Sequence, residues 1–90
     1  MPRYLVERTF PDGLTVPMND AGATALGGVI MRNAEKGVTW VQSFVSPDKK
    51  HTFCVYDAPS PEAIRSTAQM NSLPVDKITE VRVLEPYFYR

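Results

Sequence analysis

The sequence predicts an α+β fold of the ferredoxin-like β-α-β-β-α-β plan, a four-stranded antiparallel sheet with two helices on one face. Three observations carry this. Gly37 to Ile64 reads as strand, tight turn, strand and capped helix start. A strand and a longer amphipathic segment precede it, and an alternating strand follows it. The 90 residues form one domain, 1–90, with room for a single modest core.

Arg3 to Phe10 alternates as a first strand, and Pro11-Asp12-Gly13 ends it with turn residues. Leu14 to Met18 is expected to be extended, because Pro17 disfavours helix at the residue before it. Asn19 or Asp20 can cap a helix running to about Lys36, with Gly37 as its left-handed stop. Ala23, Leu26, Ile30 and Ala34 form its apolar stripe, with Val29 beside it. Gly27-Gly28 weakens this helix by roughly 1 kcal/mol per glycine, which close backbone packing could offset.

Val38 to Val45 and Thr52 to Tyr56 are rich in β-branched and aromatic residues, and Ser46 to Lys50 supplies the turn between them. Ser60 can accept from a first-turn N–H, Pro61 suits the first helical position, and Glu62 complements the helix dipole. This second helix runs from Pro61 to about Asn71 on a stripe of Ile64, Ala68 and Asn71, with Ala63 and Thr67 alongside. Ile78 to Leu84 is the last strand. Glu85 to Arg90 is an aromatic tail with scope for a short extra edge strand.

Right-handed crossovers place strands one and three at the centre of the sheet. Alternation then puts Val6, Val41, Val45, Phe53, Val55, Val81 and Val83 under the helices. The open face receives Leu5, Glu7, Trp40, Gln42, Phe44, Cys54, Tyr56, Glu80, Arg82 and Leu84. Such an apolar surface calls for a cover, and a second copy of the chain is the expected one.

Composition narrows the function classes. Ten basic and ten acidic side chains balance, which removes the electrostatic footprint of a nucleic-acid binder or a polybasic membrane segment. An RNA-binding sheet would need stacking aromatics on its central strands. Here the open face offers Tyr56 alone there, beside the Glu7 carboxylate. One cysteine gives no intrachain disulfide and no cysteine-built zinc cluster. No apolar run approaches the ~20 residues of a membrane span, and the start lacks an apolar signal core, so a cytoplasmic protein is expected.

The segments YLVERTFPDGL, GVTWVQSFVS, TFCVYDAPSPEAIR and ITEVRVLEPYFYR resemble a family of small bacterial ferredoxin-like nickel-binding proteins, formerly known only as a domain of unknown function. The resemblance spans nearly the whole chain and is least distinct from Thr15 to Arg32. It implies a dimer with nickel sites near the surface and a role in metal sequestration. Relatives commonly carry histidine where this chain has Gln42. Glutamine is a poor ligand for nickel, whereas imidazole suits it, so metal binding should be impaired.

No catalytic motif is found. His51, with Asp48 and Asp57, is either a surface metal site or a solvated turn histidine. Cys54 reads as an inert thiol among apolar neighbours. Glu7, Glu80 and Arg82 should cluster, as a structural ion-pair network at a dimer interface or as polar anchors of a cavity walled by Trp40, Gln42 and Tyr56. Three functions follow: a nickel-type metal-binding homodimer, a small-ligand-binding or catalytic dimeric α+β barrel, and a non-catalytic interaction module.

Overall fold

The computed structural model describes residues 1–16 and 18–88. Pro17 lies outside the described residues, as do Tyr89 and Arg90 of the expected extra strand. The elements run β1 (Arg3–Thr9), α1 (Asp20–Glu35), β2 (Thr39–Val45), β3 (His51–Asp57), α2 (Pro61–Met70) and β4 (Lys77–Val81). The sheet has the order β2-β3-β1-β4, antiparallel throughout, with β1 and β3 central as the topology requires.

Local chemistry sets the boundaries. The Asn19 side chain accepts from Gly22 N–H at 3.1 Å and starts α1. Gly37, at φ +70°, ends the helix in the left-handed region that a side chain would resist. Ser60 accepts from Ala63 N–H at 3.2 Å, with Pro61 opening α2. The last strand stops at Val81, earlier than expected, so Val83 and Leu84 leave the sheet and are exposed. Pro86–Phe88 forms a 3-10 turn, not an edge strand.

The core is Tyr4, Val6, Val38, Cys54, Tyr56, Ala58 and Ile64, with Trp40, Ala63, Val75 and Ile78 packed against it. This corrects the assignment of faces. Tyr4 pairs with Tyr56, and Val6 with Cys54, so the even-numbered positions of β1 and β3 turn inward. Phe53 and Val55 therefore lie on the open face, while Cys54 and Tyr56 lie beneath the helices. Each set on β3 is apolar, so hydrophobicity alone could not choose between them. On β2 an irregularity between Trp40 and Gln42 leaves Val41 without a partner in the pairing register. One extra residue reverses the alternation, so Trp40 turns inward while Gln42 and Phe44 remain outside. On β4, Glu80 lies opposite inward-facing Tyr4, and Val81 opposite Arg3 on the open side.

The two helices pack unequally. Ile64, Thr67 and Ala68 of α2 are buried. The inward positions of α1 are Gly22, Leu26, Val29 and Asn33, of which only Gly22 and Asn33 are buried. Ile30 and Met31 face solvent, so the expected stripe through Ile30 is rotated. A Cβ at Gly27 would meet nothing within 4 Å, so close packing does not compensate for that glycine, while one at Gly28 would come within 3.2 Å of the Arg32 guanidinium. Asn71 ties the helices together, accepting from Arg32 Nε and donating to Asn33 Oδ1.

Candidate functional site

Between α1 and the sheet lies an apolar cavity of about 300 Å³. Leu26 and Val29 of α1 form one wall, and Leu14 and Val16 of the β1–α1 connection lie at its side. The sheet supplies Arg8, Trp40, Thr52, Cys54 and Tyr56, all on the inward face. Arg8 is only 4 % exposed. It arrives there because β1 alternates, with Tyr4, Val6 and Arg8 inward and Leu5 and Glu7 outward.

The polar atoms of this cavity are incompletely paired. Arg8 Nη1 donates to Tyr56 Oη over a long 3.4 Å, and the guanidinium lies 5.6 Å from the centre of the Tyr56 ring. Arg8 Nε and Thr52 Oγ1 are buried without a hydrogen-bond partner. Arg8 and Thr52 stand directly opposite each other in the β1–β3 register. Burial raises the Tyr56 phenol's pKa, and Arg8 opposes that shift, so the group is a neutral hydroxyl at physiological pH. Trp40 Nε1 donates to Ser43 Oγ at 2.7 Å, and Cys54 is a free, buried thiol.

The residues considered for metal do not assemble. His51 and Asp57 occupy opposite ends of β3, six residues and roughly 20 Å apart. Asp57 accepts from Arg3 Nε at 2.7 Å and from Arg3 Nη2 at 3.0 Å, which holds its carboxyl below the usual range. Asp48 is occupied by the Ser46 hydroxyl at 2.6 Å and Lys50 N–H at 2.9 Å, and its pKa is lowered by these bonds and then by the nearby charges of His51 and Lys50. His51 Nδ1 lies 3.5 Å from Thr9 Oγ1, which bonds to Asp76. Among the described residues no group of three or more His, Cys, Asp or Glu side chains could hold a metal ion. The donor set of one chain therefore does not fit a nickel centre.

The expected charged cluster does not form either. Glu7 is on the open face opposite Lys77, and Glu80 is on the other side of the sheet. Arg82 follows β4, is exposed, and bonds to neither carboxylate. The ion pair present among the described residues is Arg3–Asp57. Tyr56 and Trp40 do wall a cavity, but on the helix side of the sheet, while Gln42 and Phe44 stay outside.

A family model described as nickel responsive protein SCO4226-like matches residues 4–81. The chain belongs to the SCO4226-like family. The resemblance read from the strand and hairpin segments thus identified the family. Among solved structures, the crystal structure of SCO4226 from Streptomyces coelicolor A3(2) superposes with a TM-score of 0.73. It covers 92% of this chain and 99% of its own at 19% identity, a likeness that shows the shared fold. No curated protein matches the sequence. No helix among the described residues is long and apolar enough to cross a membrane.

Arg8 and Thr52 were missed from sequence. The signal for Arg8 was present: it stands two residues beyond Val6 and four beyond Tyr4, on the face that Val6 assigns to the helices. A charged residue at an inward strand position is a stronger pointer than any exposed one.

Proposed function

We propose that this SCO4226-like chain is a homodimeric, non-catalytic binding protein of the cytoplasm whose own nickel affinity is weak or lost. The match over residues 4–81 to a nickel responsive family carries the reading. Its weakened form is supported by Gln42, which stands exposed on the open face where the family resemblance puts histidine. Asp57 is engaged by Arg3 and far from His51, so the remaining donors offer no substitute within one chain. A single unpaired cysteine accords with a reducing compartment. The dimer reading is supported by the open face itself, where Phe44 is 55 % and Phe53 38 % exposed beside Leu5, Val55 and Val81. A stable pairing of two such faces buries more than roughly 1,000 Å².

Calorimetric titration of tag-free protein with nickel tests this. The wild type should bind weakly, with affinity falling at acid pH because a ligating imidazole must be neutral. Gln42→His should tighten binding by about tenfold or more if that position is a ligand. A submicromolar, pH-insensitive nickel site in the wild type overturns the reading.

A further inference from the structure

We propose that the cavity beneath α1 is a binding site for a small amphipathic monocarboxylate, with Arg8 and Thr52 receiving the carboxylate and the apolar walls holding its hydrocarbon body. This is independent of the nickel reading. A guanidinium repels a metal cation, and none of the residues weighed above as metal donors takes part.

Arg8 carries the inference. Arginine stays charged at any physiological pH, so burial cannot neutralise it as it would a lysine. A buried charge persists when paired and hydrogen-bonded, and is costly otherwise. Here Nε has no partner, the bond from Nη1 to Tyr56 is long, and no carboxylate forms an ion pair with Arg8 among the described residues. Thr52 gives a second, separate observation. Its hydroxyl is also buried without a partner, and it stands directly across the β1–β3 pair from Arg8, both residues contributing to the lining of one cavity. Residues opposed in this way have Cα atoms about 5 Å apart, a spacing that one carboxylate can bridge.

The walls select the rest of the ligand. Leu14, Val16, Leu26 and Val29 present hydrocarbon, and the volume of about 300 Å³ is at the small end for a ligand site. Phosphate would require more donors to replace its hydration than one guanidinium and one hydroxyl provide. A monoanion with an apolar tail satisfies the donors and fills the space. The α1 wall can adjust to a ligand, because that helix buries only Gly22 and Asn33 of its own residues.

Trp40, the single tryptophan, lines the cavity and reports on its contents. Decanoate below its micellar range should change Trp40 emission saturably and bind one per chain by calorimetry. Decanol, with the same body and no charge, should bind at least about tenfold more weakly, as expected for loss of a charge-assisted hydrogen bond. Arg8→Met should bring decanoate down to the level of decanol while far-ultraviolet circular dichroism stays native. Val29→Phe, which fills the cavity and leaves Arg8 untouched, should abolish binding of both, and it decides the matter if Arg8→Met does not fold. No decanoate binding, equal affinity for acid and alcohol, or wild-type binding by Val29→Phe would each overturn the proposal.

Discussion

The two faces of the sheet carry similar amounts of hydrocarbon but treat it oppositely. The inner face presents Tyr4, Val6, Cys54 and Tyr56 to the helices and buries all four. The outer face presents Leu5, Phe44, Phe53, Val55 and Val81, and leaves Phe44 and Phe53 open to solvent. Charge is distributed against intuition as well. The outer face holds its charges in water or in the Arg3–Asp57 pair, while the inner face holds Arg8 with no acidic partner among the described residues. A sheet built only for stability would have the apolar set inside and the arginine outside. The exposed phenylalanines and the buried guanidinium are therefore where the fold departs from its own stability, as functional sites commonly do.

The inner face is itself uneven, and the largest expected effect comes from its filled half. Ile64 is 1 % exposed and packs against the core, so Ile64→Ala should cost about 2–5 kcal/mol in chemical denaturation. Leu26→Ala, on the cavity wall, should cost about 1 kcal/mol, since its side chain is only half-buried and borders existing space. Equal costs would mean that the α1 half is as well packed as the α2 half. On the outer face, Phe44→Asp should leave the fold intact and weaken self-association about 10- to 100-fold, read by light scattering across a dilution series. A monomer at micromolar concentration in the wild type would remove the second copy as the cover of that face. Gly27→Ala should then raise stability by roughly 0.5–1 kcal/mol, because the added methyl gains helix propensity and meets nothing.

Element order, caps and turns were legible because each rests on local chemistry. Asn19, Gly37 and Ser60-Pro61 act within one helical turn of themselves, and all stand where the sequence put them. Facing was not legible, because it is a relation between strands. On β3, Phe53 and Val55 compete with Cys54 and Tyr56, and neither set is polar enough to be excluded from the core. On β2 the irregularity at Val41 reverses the parity of Trp40, and no residue type at that position announces it. The charged cluster is absent for the same reason, since Glu80 turns to the inner side with Tyr4 and Arg82 lies just past the end of β4. The cavity needed both facing and the depth of helix packing, and only its arginine had a signal in the sequence.

The smallest expected effect concerns the outer-face pair and marks how little exposed charge contributes. Arg3 donates twice to Asp57, and this interaction depresses the Asp57 pKa in the folded state. A depressed carboxyl binds protons less readily when folded than when unfolded. Its contribution is therefore complete above the unfolded value, near pH 4, and is lost as pH falls through the lower folded value. Asp57→Asn should flatten the loss of stability below about pH 4 relative to the wild type, and change stability little at pH 7, where exposed pairs contribute weakly. Asp48, depressed chiefly by the Ser46 hydroxyl and Lys50 N–H, should behave in the same sense at the other end of β3. Salt separates the two: added chloride should screen the Arg3–Asp57 ion pair more than the short-range hydrogen bonds at Asp48. Acid unfolding followed at low and high ionic strength checks this. An Asp57→Asn variant with the wild-type acid limb would show that the outer face draws no stability from the Arg3–Asp57 pair.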